Sequence, residues 1–384
     1  MNLISLRGIS VDNLKTIENG TIKIKNIKKN GGKIAGTFCS FTPVEILDAA
    51  GLHSVNLCGT SDKTIINSES DLPKNLCPLI KSSYGAAISD KSSYTYFSDI
   101  IIGETTCDGK KKMYELLSEL KDIHIMQLPQ GVDRSYSSLM WEKEVRLLIT
   151  ILEEKFGIEI TEEKLRKSTS FRNKFRSLYD ELLKLSKLEP PAITGFDLYK
   201  ILEGYRFNFD LDEEYKQLEE LIHKIKKKYE EGVRPVDNKA KRILITGCPL
   251  GGVLDKVVNT IESSDGVVVC FDNCAGIKPI RNKVDENSDD IVKAIADRYL
   301  NIGCSVMTPN LKRMELLPEL VEEFKVDGVI EVILQTCHPY SIESREVKKL
   351  ITDTGIPYMA LETDYSESNI GQIKTRISAF MEIL

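Results

Sequence analysis

The chain has 384 residues, 41% of them hydrophobic and 29% charged, ordinary proportions for a globular protein and enough length for two domains. A formal net charge of −6, a pI near 5.6 and the lack of a basic stripe interleaved with aromatics argue against nucleic acid as a partner. No apolar run reaches the roughly 20 residues that cross a bilayer. The N-terminus, MNLISLRGISVDNLK, lacks the charged-then-apolar order of a signal peptide, so a cytoplasmic protein with no membrane partner is expected.

Nine cysteines in a long chain without a signal peptide argue against a disulfide framework and for metal ligation or redox chemistry. Four histidines (His53, His124, His223 and His338) are too few for a histidine-rich zinc or iron site.

Residues 1–32 are polar, rich in Lys and Asn and short of periodicity, and are expected to form an N-terminal arm. Residues 33–136 alternate short apolar runs with helix-period segments, the pattern of a parallel α/β sheet. KIAGTFCSFTPVEILDAAG reads as strand, elbow and helix; His53–Leu57 is a second strand; Cys77-Pro78 opens a helix; Ile100–Ile102 is a strand leading to an elbow at Cys107; a further strand ends near Leu128. Residues 137–235 change character. Glu142–Phe156, Thr161–Leu188, Gly195–Glu203 and Glu213–Tyr229 are charged and helix-periodic, and Pro190-Pro191 separates two of them. Scaffold and dimer surface are the roles expected of this segment, and the Lys226–Lys228 run is read as a solvated face. Residues 236–384 return to the α/β pattern, with elbows at Cys248, Cys274 and Cys304. The run Val329–Leu334 reads as a buried strand feeding the elbow Gln335–Pro339, after which a helix and a last strand–helix unit close the chain.

Cys39, Cys77 and Cys107 are separated by 38 and 30 residues, and Cys248, Cys274, Cys304 and Cys337 by 26, 30 and 33. A βα unit is about 30 residues long, so each half carries about one cysteine per unit, at a strand's carboxyl end or a helix start. Those ends share one edge of a parallel sheet, where α/β proteins bind their ligands. Zinc is usually held by closely paired cysteines. Only Cys270 and Cys274 come that close, and Cys270 ends a buried strand. Spacing alone leaves an iron–sulfur centre and inert core cysteines both open.

Four stretches together resemble the 2-hydroxyacyl-CoA dehydratase superfamily (the D-component family): GTFCSFTP at 36–43, LCPLIKSS at 76–83, ETTCDGKK at 104–111 and QTCH at 335–338. The closest resemblance is to its stand-alone double-cubane branch. The fold this implies is two doubly wound, Rossmann-like parallel-sheet domains with an intervening helical segment and a cluster in the cleft between them. The resemblance implies Cys77, Cys107 and Cys337 as ligands of one [4Fe-4S] cubane. It implies Cys248, Cys274 and Cys304 as the extra set that makes a double-cubane [8Fe-9S] cluster, with Cys39 in reserve against Cys248. It further implies a homodimer, an ATP-hydrolysing iron–sulfur activator as electron donor, and reduction of a small-molecule substrate. Two alternatives stay open: a 2-hydroxyacyl-CoA dehydratase component with a single [4Fe-4S] cluster and a ketyl radical mechanism, and a non-enzymatic electron carrier.

Other residues carry competing readings. GCPLGG at 247–252 resembles a phosphate loop in its glycines but lacks the Gly-Lys-Ser/Thr ending. Cys58 and Cys270 are read as strand-buried. His338 is read as a helix-capping or ligand-supporting residue. Glu343 and Arg345 are either exposed helix residues or a proton relay one turn past the elbow, so His338 and Glu343 stand as catalytic candidates. Lys81 either neutralises cluster charge or is solvated.

Overall fold

The computed structural model describes residues 17–89, 92–207 and 209–384. The stretch read as an arm is helical from Ile17: α1 (Ile17–Lys29) buries Ile24 and pairs Lys28 Nζ with Asp99 at 2.7 Å. Residues 1–16 lie outside the described residues.

The first sheet is built from β1 (Lys33–Thr37), α2 (Val44–Ala49), β2 (Leu52–Asn56), α3 (Asp62–Ser68), α4 (Pro78–Ile88), α5 (Ser93–Phe97), β3 (Ile100–Glu104), α6 (Asp108–Leu117) and β4 (Ile123–Met126). All its pairings are parallel and the strand order is β2-β1-β3-β4. Every residue of β3 is buried, as a strand covered by helices on both faces must be, which explains its unbroken Ile-Ile-Ile run.

Four helices follow without a strand: α7 (Ser137–Phe156), α8 (Glu162–Lys187), α9 (Gly195–Gly204) and α10 (Leu211–Glu230). Helix α8 packs on α2 through two buried ion pairs, Arg172–Asp48 and Arg176–Glu45. Burial pushes the Glu45 carboxyl up, but the Arg176 and Arg298 guanidinium groups and the Tyr299 hydroxyl together outweigh it and bring the pKa down to about 2.

The second sheet comprises β5 (Lys241–Gly247), α11 (Leu254–Glu262), β6 (Gly266–Asp272), α12 (Ile291–Leu300), α13 (Leu311–Glu323), β7 (Gly328–Leu334), α14 (His338–Asp353), β8 (Tyr358–Thr363) and α15 (Ile370–Glu382). Its order, β6-β5-β7-β8, repeats that of the first sheet, again all parallel. Helix α13, passed over in the sequence, carries Pro318 in its interior, a residue that usually breaks helices.

The helices between the sheets bind to both. Helix α7 packs on β4 and on α12, α8 on α2, β6 and α12, and α9 on β6 and α11. In each sheet the chain leaves the first strand toward one edge and returns on its other side. That reversal makes a crevice beyond the carboxyl ends of β1 and β3, and another beyond β5 and β7.

Candidate functional site: a cavity ringed by thiols

A cavity of about 1000 Å³ lies between the carboxyl edges of the two sheets, and eight of the nine cysteines line it: Cys39, Cys58, Cys77, Cys107, Cys248, Cys274, Cys304 and Cys337. All nine are free thiols. Cys270 is absent from this wall and fully buried in β6, as its apolar surroundings led one to expect.

Strand ends explain six of the eight. In the first sheet Cys39 and Cys58 each lie two residues past their strands, β1 and β2, and Cys107 lies three past β3. In the second, Cys248, Cys274 and Cys337 follow β5, β6 and β7 by one, two and three residues. The last two come from between the second and third strand of each sheet. Cys77 is the residue before α4, with Pro78 at its first position, and Cys304 lies in the turn between α12 and α13. The expectation that elbow cysteines sit at strand ends or helix starts therefore fails for Cys304. Its turn is closed by hydrogen bonds from Cys304 N to Ile302 O and from Met307 N to Cys304 O.

Cys58 is a correction too. It is half-buried on the cavity wall, its thiol donating to the Phe38 carbonyl at 3.0 Å. The signal that could have found it is its offset from β2, the same as that of Cys39 from β1.

The thiols fall into contacting groups. Cys337 interacts through its side chain with both Cys77 and Cys248, and Cys274 with Cys304. Cys39 lies within charge range of Cys274. Cys248 Sγ also accepts from Leu334 N at 3.3 Å. The hydrogen bond from Cys304, helped by Lys278, Arg206 and Lys110, brings Cys274 down to about 5 against the effect of burial. Burial pushes Cys39 up to about 12, with Lys110 opposing. The Cys77 thiol is raised, first by its hydrogen bond with Cys337 and then by burial. Among the described residues no group of three His, Cys, Asp or Glu side chains could hold one metal ion.

Beneath the second sheet's thiols lies a buried charge network. The Arg313 guanidinium, on α13, donates to Glu331 at 2.8 Å, to Thr246 at 2.8 Å and to Glu343, and its Nε stands 3.5 Å from Asp272. Burial raises the Asp272 carboxyl, but Lys278 and Arg313 together hold it below its ordinary value. Glu343 is thus no exposed helix residue. Its other oxygen accepts from Asn310 Nδ2 at 2.7 Å, and its side chain is 13% exposed. Arg345 is exposed, as the plainer reading of it held. His338, the first residue of α14, lies exposed on the cavity wall, and among the described residues its imidazole makes no hydrogen bond, so the capping role assigned to it is not observed.

Two cations on the wall were missed in the sequence. Lys110, 7% exposed, donates to Phe38 O at 3.0 Å, and Arg206 follows α9 in the helical segment. Lys81 instead donates to the Lys74 carbonyl at 2.8 Å and lies off the wall.

The glycines of GCPLGG serve close packing. A Cβ on Gly252 would collide with the Thr60 carbonyl oxygen of the first sheet's β2 loop, and Gly247, at φ +107, leaves no room beside Val332 O. The amides of Cys248 and Leu250 are already bonded, to Val332 O and to the Tyr199 hydroxyl. This speaks against a phosphate loop, whose amides must be free for an anion.

Two parallel α/β sheets whose facing carboxyl edges ring one cavity with thiols define a cysteine-based, two-sheet α/β protein. Residues 39–384 match the family described as 2-hydroxyglutaryl-CoA dehydratase, D-component, and the chain belongs to that family. It is 46% identical over 368 residues to the putative dehydratase subunit YjiM of Escherichia coli (strain K12), covering 96% of this chain and 95% of that one. It is 24% identical over 365 residues to the (R)-phenyllactyl-CoA dehydratase beta subunit of Clostridium sporogenes, covering 94% of each. It is 22% identical over 370 residues to the (R)-2-hydroxyglutaryl-CoA dehydratase subunit beta of Acidaminococcus fermentans, covering 93% of this chain and 94% of that one. The family resemblance read from the four cysteine stretches is thereby borne out. Among the described residues no helix is long and apolar enough to cross a membrane.

Proposed function

We propose that the cavity holds an iron–sulfur centre on thiols from both sheets, a double-cubane [8Fe-9S] cluster, and that the chain is a dehydratase-type redox enzyme. In this reading a separate ATP-hydrolysing iron–sulfur activator reduces it, and it reduces a small-molecule substrate. The observation that carries the reading is the gathering of eight thiols, drawn from residues 39 to 337, on one cavity of about 1000 Å³. The donor chemistry fits. A cluster takes its thiolates on different irons, so its ligands stand apart instead of converging on one ion, and soft thiolates suit iron and sulfide. When bound, the group supplies low-potential one-electron reduction.

Cys77, Cys107 and Cys337 are the proposed ligands of one cubane and Cys274 and Cys304 two ligands of the other. Cys248 touches Cys337 while Cys39 lies near Cys274, which favours Cys39 over Cys248 as the third member of the second set. Of the two catalytic candidates, Glu343 has both oxygens engaged, by Asn310 and Arg313, which leaves His338 as the proton carrier at the cavity. Division of the chain near residues 136 and 235, a homodimer and a cytoplasmic location belong to the same proposal.

The second reading, a dehydratase component with one [4Fe-4S] cluster working beside another subunit, is favoured by the relatives named as beta subunits. Anaerobically purified Cys274→Ala and Cys304→Ala chains separate the two. The double-cubane reading expects iron to fall in both variants. Full wild-type iron in both would leave the single-cluster reading standing.

A further inference from the structure

The deeply buried arginines elsewhere in the molecule have anionic or carbonyl partners: Arg172 has Asp48, Arg176 has Glu45, Arg313 has Glu331 and Glu343, and Arg298 has the carbonyls of Pro279 and Asn282. Two of the three cations on the thiol-lined wall, Lys110 and Arg206, are different, while the third, Lys349, is exposed to water. Among the described residues Lys110 has a hydrogen bond to the Phe38 carbonyl alone and, 5.7 Å away, the Phe38 ring. Arg206 has no ion pair or side-chain hydrogen bond among the described residues, although it lines the cavity. Glu104 lies within charge range of Lys110 and Glu203 within charge range of Arg206, and neither forms an ion pair with them. Glu104 is instead turned to the Thr42 hydroxyl. A cation withdrawn from water without a counter-charge is costly, so such a pair is tolerated best where the occupant of the cavity is itself an anion.

The two cations also share two thiols, Cys58 and Cys274, and Lys110 reaches Cys107, a proposed ligand of the first cubane, as well. Lys110 acts on Cys39, Cys58 and Cys107, and Arg206 on Cys58 and Cys274. The contacting group on the other side, Cys77 with Cys337 and Cys248, is dominated by its own thiols and by burial.

We propose that Arg206 and Lys110 form a cationic seat that offsets the negative charge of the group held by the Cys39, Cys58 and Cys274 side of the cavity. An electron added to that group settles on this side, where two positive charges stabilise it. The inference rests on the iron–sulfur reading above and deepens it, by naming residues that set where the charge goes. Arg206 comes from the helical segment and is thus a positioning residue for electrons, contributed by a part of the chain that sequence reading assigned to scaffold. Neither residue ligates the cluster in this account.

The test is a mediated reductive titration of the anaerobically purified full chain, read by electron paramagnetic resonance, with iron and sulfide measured on each sample. Arg206→Gln and Lys110→Met are expected to keep wild-type iron. Each shifts the one-electron reduction equilibrium against reduction by about tenfold, which is about 59 mV toward more negative potential. Arg206→Lys, which keeps the charge, restores most of the shift. Iron lost from Arg206→Gln but kept by Arg206→Lys also supports the seat, as a charge needed to assemble the cluster. An unchanged potential in both neutral variants at full iron content overturns the proposal, as does equal iron loss from Arg206→Gln and Arg206→Lys. A wild-type chain that binds no iron is a separate result: it removes the iron–sulfur reading, and the seat with it.

Discussion

The two sheets share strand order and the placement of their thiols, yet they support those thiols in opposite ways. Behind Cys248, Cys274 and Cys337, a buried network ties three strands to two helices: Thr246 on β5, Asp272 on β6, Glu331 on β7, Arg313 on α13 and Glu343 on α14. Behind Cys39, Cys58 and Cys107, the corresponding strand ends carry Thr37, Asn56 and Glu104, and the cation present is Lys110. One half holds its thiols on a preassembled charge scaffold. The other leaves its charge directed at the cavity. The same topology therefore yields a rigid wall and an electrostatically open one, and what differs is whether the cations are used up inside the protein.

Removing a thiol from the rigid wall has the largest expected effect. Cys337→Ala is predicted to lose at least half of the bound iron while its far-ultraviolet circular dichroism stays that of the wild type, because the side chain lies past the strand and not within it. Full iron in that variant would remove Cys337 from the ligand set.

Next comes the scaffold itself. Arg313→Met leaves Glu331 buried with the Tyr358 hydroxyl as its remaining partner and Asp272 with Lys278 and Thr246, and breaking a buried ion pair from one side costs about 3–5 kcal/mol. Urea unfolding should show a loss of that size; a change below about 1 kcal/mol would mean that the network is not what holds the second sheet's edge.

Gly252→Ala probes the contact between the sheets. The new methyl group meets the Thr60 carbonyl, and overpacking of this kind costs roughly 1–3 kcal/mol. Thiol alkylation at the cavity should speed up in this variant if the sheets are pushed apart, and stay at the wild-type rate if they are not.

A smaller, pH-dependent effect is expected at Glu262, whose Oε1 accepts from Gly195 N at 2.5 Å and ties α11 to the start of α9. Burial raises its carboxyl from an ordinary 4.5 to about 7. Between those values the folded chain binds more protons than the unfolded one. Its contribution is therefore complete below pH 4.5 and is lost as pH rises through 7, at no more than about 1.4 kcal/mol per pH unit. Stability of Glu262→Gln measured across that window should fall less steeply than that of the wild type; parallel curves would contradict the assignment.

Cys270→Ala, outside the ring, should cost about 1 kcal/mol for a small core cavity and leave iron content unchanged.

Much of this architecture could be read from the chain because its signals are local. Apolar runs bounded by Gly, Pro and Cys marked the strands, and the cysteine elbows marked the edge that seven of the eight wall thiols were expected to share. What escaped the sequence reading depends on phase or on distance. Lys110 stands in a run of three lysines, and only the helix period of α6, which buries Lys110, Met113, Tyr114 and Leu117 together, singles it out. Cys58 was masked by the apolar residues before it, although its offset from the strand matches that of Cys39. Arg206 and Arg313 had no local mark at all. Arg206 follows a helix taken as scaffold and lines a cavity whose thiols lie far off in the chain, while Arg313 sits on a helix hidden by Pro318, with partners on three strands and another helix.

The central claim is that the ring of thiols holds two cubanes. Iron and acid-labile sulfide measured on the anaerobically purified wild-type chain test it most directly. The account predicts about eight irons per chain. About four would support a single cubane, and none would contradict the account outright.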